Sequence, residues 1–195
     1  MSSPLEPQRR RIRKVAGIAG GIAGGLVGFI VAGAVGYHFF FFSPIRSLGE
    51  PADAEKTFSI QFPDGWTTKE HYLDTVLMGN SPLDGPDDTF SENVNVVVRK
   101  FSREMTEGDI EGCHEAIAAN ATEFDLIEKG DVVVDGEKGQ WHITSFSMEG
   151  KRIRNMQYFV TKGRLLFVIT CTATPETFES HKSAFESIVK TFRFR

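Results

Sequence analysis

Glu111 and His114 have the types and spacing of a metal-binding pair. They lie three residues apart, which places both on one face of a predicted helix, as in the di-metal carboxylate bundles. Those bundles need further carboxylates from other helices, and none is evident here. The sequence therefore predicts no metal at this pair.

Asp84, Asp87 and Asp88 could offer carboxylate oxygens to a calcium ion. Pro86 interrupts them, and their spacing is not that of an EF-hand loop. A solvated loop is the simpler interpretation, because turn-forming residues fill the segment. We expect no metal and no cofactor.

A nucleophile paired with a base is also missing. Cys113 precedes His114, but adjacent helical residues point about 100° apart, so they do not form a thiolate pair. No serine stands in a Gly-x-Ser-x-Gly context, and no glycine loop suits a phosphate. His142 and His181 are interpreted as surface or edge residues. We expect no catalytic residues and no enzyme; a hydrolase stays a remote alternative.

Lys151, Arg152 and Arg154 form a dense basic cluster beside a predicted turn, Glu149-Gly150. The cluster could bind an acidic partner surface. Alternatively, it is a solvated hairpin whose positive charges protect a sheet edge.

The elements that position these residues begin with strands. Phe58, Ile60 and Phe62 alternate with polar residues, which predicts a half-buried strand. A second strand is expected around residues 71–78, and a loop follows over residues 79–88. Val94, Val96 and Val98 then share one face of a strand over residues 93–101.

From Thr106 the apolar period becomes helical. Ile110, Cys113, Ile117, Ala121 and Phe124 fall at steps of three and four, the stripe of an amphipathic helix that packs on a sheet.

A four-strand meander is expected to follow. Its strands lie near residues 126–134, 139–148, 151–161 and 164–173, with tight turns at Glu149-Gly150 and Lys162-Gly163. The last of these strands is apolar on both faces, as in a strand covered on both sides.

The final helix is predicted to begin at Thr174, as N-cap, and Pro175. Phe178, Phe185, Ile188 and Val189 form its inner face, and a short strand over residues 191–194 follows. The predicted fold class is α+β, a largely antiparallel sheet flanked by helices, preceded by one N-terminal transmembrane helix.

That transmembrane helix is predicted over residues 15–42, about 28 residues without a formal charge. Such a helix reaches about 40 Å, more than the ~30 Å hydrocarbon core requires. Five Lys or Arg residues precede it, so the positive-inside rule predicts a cytoplasmic N-terminus and an extracytoplasmic C-terminal domain, in a periplasm or a lumen. A cleaved signal peptide, ending near Ala32-Gly33-Ala34, is the alternative.

Small residues recur every fourth position in this segment and would line two adjacent helix stripes. They are Gly17, Gly21 and Gly25 in one stripe, and Gly20, Gly24, Gly28, Ala32 and Gly36 in the other. Such stripes let another helix approach closely. They favour association with other transmembrane helices, as a homo-oligomer or as a subunit of a larger membrane complex; the alternative is that glycine is simply common in membrane helices.

Charged residues are distributed unevenly along the 195-residue chain. Residues 1–45 hold five basic residues and one acidic residue, whereas the remainder holds 17 basic and 25 acidic residues. The acidic part argues against nucleic acid or anionic lipid as its partner.

The expected organisation is a basic cytoplasmic tail (1–14), the transmembrane helix (15–42), a linker (43–56) and an outer domain (57–195). Cys113 and Cys171 could form one disulfide or remain two buried thiols.

The order of elements resembles the PsbP-like superfamily, which includes PsbP, DcrB and Mog-type proteins. The resemblance rests on Phe58-Ser-Ile-Gln-Phe-Pro-Asp-Gly-Trp66, the valine strand, a helix, the meander and a closing helix from Pro175 to Phe192. It covers residues 57–195. It implies an α/β/α sandwich and a non-enzymatic binding domain, often an accessory to a membrane complex.

Two functions are therefore expected. The first is a membrane-anchored, non-catalytic accessory or assembly subunit that binds a membrane protein complex. The second is an envelope protein that binds a metal ion or lipid, through the Asp84–Asp88 loop or through a pocket between helix and sheet.

Overall fold

The computed structural model describes residues 57–195 except residues 73 and 149, and before them only three residue pairs. These pairs are β1 (Val31–Ala32), β2 (Tyr37–His38) and β3 (Glu50–Pro51); β1 pairs with β2. The predicted tail, membrane helix and linker otherwise lie outside the described residues and stay predictions. Within the described part of the chain, no helix is both long and apolar enough to cross a membrane.

The described residues of the outer domain form nine strands and two helices. The strands are β4 (Phe58–Ser59), β5 (Thr67–Glu70), β6 (Leu77–Asn80), β7 (Asn93–Lys100), β8 (Thr122–Val134), β9 (Glu137–Met148), β10 (Lys151–Lys162), β11 (Leu165–Ala173) and β12 (Arg193–Phe194). The helices are α1 (Glu107–Asn120) and α2 (Phe178–Lys190).

Seven strands form an antiparallel sheet in the order β5-β6-β7-β11-β10-β9-β8, and β3 pairs with the end of β7. The four-strand meander predicted from the sequence is confirmed as β8 to β11. Strand β11 lies at the centre, and its residues are buried from Leu166 to Ala173. This explains why its sequence is apolar on both faces.

The two helices cover opposite faces of the sheet. Val94, Val96 and Val98 of β7 pack in the same cluster as Phe178 and Phe185 of α2. Val97 of β7 packs in the other cluster, with Ile110, Cys113 and Ile117 of α1. The domain is therefore an α+β sandwich of three layers, as predicted.

Helix α1 begins with a capping box. Thr106 Oγ1 accepts a hydrogen bond from Asp109 N, and the Asp109 carboxylate accepts one from Thr106 N at 2.7 Å. Arg103 also donates to this carboxylate, which holds the pKa of Asp109 well below its usual range. The predicted apolar stripe was too long at its end, because Ala121 caps the helix and Phe124 belongs to β8.

The inner face predicted for α2 is confirmed, since Phe178, Phe185, Ile188 and Val189 are all buried. Its predicted start was too early, because the regular helix begins at Phe178. Thr174 nevertheless behaves as a cap, with its Oγ1 accepting a hydrogen bond from Thr177 N at 3.3 Å.

The strand predicted over residues 71–78 is confirmed only at its end, where Leu77 and Met78 belong to β6. The residues before them connect β5 to β6 in a turn, in which His71 N donates to Val76 O at 3.1 Å and His71 has φ +48°. The loop predicted from Gly79 begins two residues later, because Gly79 and Asn80 belong to β6. Gly79 lies directly under Phe62, where an added Cβ would be 2.2 Å from the ring.

Hairpin turns carry positive φ angles where glycine was expected. Gly150 and Gly163 have φ +78° and +57°. The second turn was predicted as Lys162-Gly163, but Lys162 belongs to β10 and the turn consists of Gly163 and Arg164. A third turn, Asp135-Gly136, has φ +48° and +85° and was not singled out in the sequence.

Candidate functional site

A cavity of about 490 Å³ lies between α2 and strands β8, β9 and β10. We call it the α2 cavity. It is lined by Glu128, Val132, Val133, Val134, Asp135, Trp141, Met156, Tyr158, Lys182, Glu186, Val189 and Lys190. Its volume falls in the range of ligand-binding pockets, about 300–1,000 Å³.

The sheet side of the α2 cavity is aromatic and apolar. Trp141 stands opposite Gly130 in the pairing of β8 with β9, and opposite Tyr158 in the pairing of β9 with β10. An added Cβ on Gly130 would lie 3.0 Å from Trp141 Nε1, so this glycine leaves room for the indole. Tyr158 donates a hydrogen bond to Met156 Sδ at 3.4 Å, and burial raises the pKa of its hydroxyl.

Charged side chains surround this apolar wall. Lys182, Glu186 and Lys190 come from α2 and Glu128 comes from β8. Asp135 is engaged elsewhere, because it lies 3.6 Å from Arg193 and accepts a hydrogen bond from Phe194 N. An apolar cavity bordered by charges suits an amphiphilic molecule better than an ion.

The predicted Glu111 and His114 pair occupies the opposite side of the sheet. His114 Nδ1 lies 3.8 Å from Glu111 Oε2, while Glu111 also pairs with Lys129 at 3.2 Å. In the part of the chain that the structure describes, no group of three or more His, Cys, Asp or Glu could hold a metal ion.

His142 is buried, so its interpretation as a surface residue was wrong. It is 2% exposed, its ring contacts that of His114 at a tilt of 56° with centroids 4.4 Å apart, and its Nε2 lies 2.8 Å from Gln157 Oε1. Burial lowers the pKa of His142, and the hydrogen bond to Gln157, which acts to raise this pKa, only partly offsets the effect. Burial, followed by the charge of His142, lowers the pKa of His114 to about 4.

The loop over Asp84–Asp88 is held by hydrogen bonds to the carboxylate of Asp88. Asp88 accepts hydrogen bonds from Asp84 N at 2.8 Å and from Phe90 N at 2.9 Å, which uses both of its carboxylate oxygens. His181, interpreted from sequence as a surface residue, is only 15% exposed and lies 3.6 Å from the buried Glu92. Thr177 donates to Glu92 at 2.6 Å and so links the residue before β7 to the start of α2.

Both arginines of the basic cluster contact acidic residues of the same domain. Arg152 lies 2.6 Å from Asp125, and Arg154 lies 3.6 Å from Glu179 and over the ring of Phe178. Lys151 is exposed. Strand β10 is an inner strand of the sheet, so these charges do not protect an edge. The role of the cluster in partner binding stays a prediction.

Cys113 and Cys171 are free, buried thiols on opposite faces of the sheet. Of the small residues predicted to pack helices, the structure describes only Ala32, in β1; the seven glycines lie outside the described residues.

The sequence contained only a weak signal for the α2 cavity. Trp141, Tyr158 and Gly130 fall on three different strands, and only their register brings them together. A pocket between helix and sheet was expected in general terms, but none of these three residues was singled out.

The fold is shared with solved structures of low sequence identity. LpqN of Mycobacterium tuberculosis, described as involved in cell envelope biogenesis, matches with a TM-score of 0.59 at 13% identity, over 75% of this chain and 84% of that chain. The cyanobacterial PsbP of Synechocystis sp. PCC 6803, CyanoP, matches with a TM-score of 0.52 at 13% identity, over 75% of this chain and 91% of that chain.

Comparison with a family model agrees with these structural likenesses, although no curated protein matches the chain in sequence. The family model described as PsbP-like protein matches residues 52–194, which include both helices and every strand of the meander. The chain belongs to the PsbP-like protein family.

Proposed function

We propose that this chain is a non-catalytic accessory or assembly subunit, anchored by residues 15–42 and bound to a membrane protein complex. The glycine stripes of the anchor would contact other transmembrane helices, in a homo-oligomer or a larger complex. The N-terminus would be cytoplasmic, and the outer domain would lie in the periplasm or a lumen.

The main support from the outer domain is the outer edge of β8. This strand has 13 residues and pairs with β9 on one side, while no strand among the described residues pairs with its other side. A long free edge offers backbone donors and acceptors to a strand of another protein.

The side chains of β8 fit such a contact. Its exposed apolar residues are Leu126, Ile127 and Val133, at 49%, 49% and 66% exposure. Glu128 and Asp131 are exposed acidic residues on the same strand. A partner segment that is extended, apolar and basic would therefore complement this edge.

The edge is tested by introducing charge where the partner strand would lie. Leu126→Lys with Ile127→Lys should reduce the amount of partner that purifies with the full-length chain about tenfold or more, because burying two unpaired charges opposes association. Thr68→Lys, on the exposed strand β5 at the opposite edge, is the matched control and should leave association unchanged. Equal recovery of partner from both variants would exclude β8 as the contact.

The α2 cavity favours a second candidate, an envelope protein that binds a lipid. The cavity combines an apolar wall with a charged border and a volume of about 490 Å³. A lipid chain would contact Trp141 and Met156, and its polar end would lie among the charges of α2.

Native mass spectrometry of the full-length chain, purified from its membrane, tests this candidate. One retained lipid per chain is expected. Val132→Trp should abolish the retention because the larger ring fills the cavity, whereas Thr68→Trp, on the exposed β5, should not. A chain that carries no lipid, or a Val132→Trp variant that still carries one, would refute lipid binding in the cavity.

A further inference from the structure

One end of the sheet, which we call the basic end, brings together parts of the chain that are far apart in sequence. Strands β7, β8 and β10 end there, and β9 and β11 begin there. Lys100 of β7 and Lys162 of β10 both pair with Leu165 of β11. Lys162 Nζ lies 3.8 Å from Glu137, at the start of β9, and 4.6 Å from the ring centroid of Phe194. The segment after α2 therefore reaches the basic end too.

Basic side chains are concentrated at this end. Eight exposed Lys and Arg residues lie in its last two rows of paired residues or in the segments attached to them: Lys100, Arg103, Lys138, Lys162, Arg164, Lys190, Arg193 and Arg195. They are eight of the 15 basic residues described between residues 57 and 195, whereas only five of the 21 described acidic residues lie there, Glu104, Glu107, Asp109, Asp135 and Glu137. The negative charge of the outer domain, which argues against an anionic partner for the domain as a whole, is therefore located mostly elsewhere.

Most of the positive charges at the basic end are not neutralised within the domain. Three ion pairs occur there: Arg103 with Asp109, Lys162 with Glu137, and Arg193 with Asp135. The other five basic residues form no ion pair with any residue that the structure describes: Lys100, Lys138, Arg164, Lys190 and Arg195. Glu104 and Glu107 are the acidic residues of this end outside those three pairs. Exposed cations in excess at one place attract a negatively charged surface.

The predicted anchor joins the outer domain at the basic end. Strand β3 pairs with the last two residues of β7. Arg195 N donates to Thr57 O at 2.8 Å, so the first residue of the outer domain lies there as well. Seven residues, 43–49, separate the predicted membrane helix from β3. A connection of this length spans at most about 28 Å. The basic end is therefore the part of the outer domain that the anchor would hold closest to the bilayer.

A bilayer that contains anionic phospholipid has a negative surface potential, which attracts Lys and Arg within about 8 Å at physiological ionic strength. A tether keeps the local concentration of the basic end high, so a weak attraction for each charge is sufficient. We propose that the basic end docks on the anionic phospholipid headgroups of the bilayer in which the chain is anchored. This inference rests on the anchor of the proposed function. It would turn the free edge of β8 sideways, towards other proteins of the same membrane.

Lysine acetylation of the full-length chain in lipid nanodiscs, measured by mass spectrometry, tests the proposal. One set of discs contains only phosphatidylcholine, and the other contains about one third phosphatidylglycerol, which is anionic. The four lysines of the basic end should react about threefold or more slowly in the anionic discs, because headgroups cover them, and 1 M NaCl should remove this protection. They are Lys100, Lys138, Lys162 and Lys190. Lys69, Lys129 and Lys151, which are exposed and lie away from this end, should react equally in both discs.

Charge reversal at the basic end should abolish the protection. In the double variant Lys100→Glu, Arg164→Glu, the remaining lysines of this end should react at the same rate in both kinds of disc, because anionic headgroups repel the new carboxylates. Lys69→Glu with Lys151→Glu makes the same change of charge elsewhere and should keep the protection. The buried thiols of Cys113 and Cys171 should resist alkylation in both variants, which verifies that the domain is folded.

Several results would overturn the proposal. Equal acetylation of the basic end of the wild type in the two kinds of disc would exclude docking on anionic headgroups and leave the anchor intact. A folded Lys100→Glu, Arg164→Glu variant that is protected like the wild type would also exclude it. Protection in the native membrane but in neither disc would assign the basic end to an acidic protein instead. A chain that stays with neither disc would refute the anchor, and the docking with it.

Discussion

Two histidines in ring contact, His114 and His142, are held neutral by burial. The folded pKa of each is below the ordinary value of 6.5, and that of His114 is about 4. The unfolded chain therefore takes up protons between pH 6.5 and pH 4 that the folded chain does not. Stability from this pair is fully present above pH 6.5 and is lost as the pH falls towards 4.

Replacement of His114 by Phe tests this linkage. The phenyl ring can keep the contact with Phe159 that the imidazole makes in the wild type, with centroids 4.5 Å apart, but a phenyl ring does not titrate. We expect the wild type to lose on the order of 2 kcal/mol more than the variant between pH 7 and pH 4.5. Urea unfolding at both pH values measures the difference, and equal losses would show that His114 is not held neutral.

Individual side chains were the least predictable feature of the sequence. His142 was interpreted as a surface residue because alternation along a strand distinguishes two faces but does not show that both are covered. Trp141, Tyr158 and Gly130 were missed for a related reason. They come from three strands, and only the register of the sheet makes them neighbours.

Replacement of a glycine by alanine should have opposite effects on stability in β9 and in α1. An added Cβ on Gly139 of β9 would lie 2.4 Å from the backbone oxygen of Phe159, whereas one on Gly112 of α1 meets nothing within 4 Å. Gly139→Ala should destabilise the domain by about 1–3 kcal/mol through overpacking. Gly112→Ala should stabilise it by about 0.5–1 kcal/mol, because alanine favours the helix.

Urea denaturation of the two alanine variants beside the wild type measures both effects. Opposite shifts of the midpoint are expected. A Gly139→Ala variant as stable as the wild type would mean that β9 and β10 are not in contact at this position.

Elements with a long, regular period were predictable, and short ones were not. The α1 stripe, the inner face of α2 and the meander follow from repeated apolar spacing. The segment between β5 and β6 contains Tyr72 and Val76, so its apolar content resembled a strand. Tertiary contacts decide such short segments, as Phe62 over Gly79 does for β6.

The distribution of charge across the molecule predicts its orientation in a membrane. Five basic residues before residue 15 should keep the N-terminus in the cytoplasm. A protease added to intact cells with a permeable outer layer should therefore remove a C-terminal tag and leave an N-terminal tag intact. Removal of the N-terminal tag alone would reverse the proposed topology, and loss of the N-terminal residues from the mature chain would indicate a cleaved signal peptide.

The family and the fold of the outer domain could be predicted from the order of its elements and from the Phe58 to Trp66 segment. The binding surfaces could not be predicted in the same way. The edge of β8 and the α2 cavity depend on which strand ends the sheet and on which helix crosses it, and neither follows from local spacing.

Purification of the full-length chain from its native membrane in mild detergent tests the proposed accessory role most directly. The wild type should retain the subunits of a membrane complex or further copies of itself. Gly21→Leu, Gly24→Leu and Gly25→Leu together should abolish this retention while the chain stays in the membrane, since the larger side chains fill the stripes. The matched variant Ile18→Leu, Ile22→Leu, Val27→Leu should behave as the wild type. A wild-type chain that purifies as a lone monomer, or a glycine variant that keeps its partners, would contradict the account.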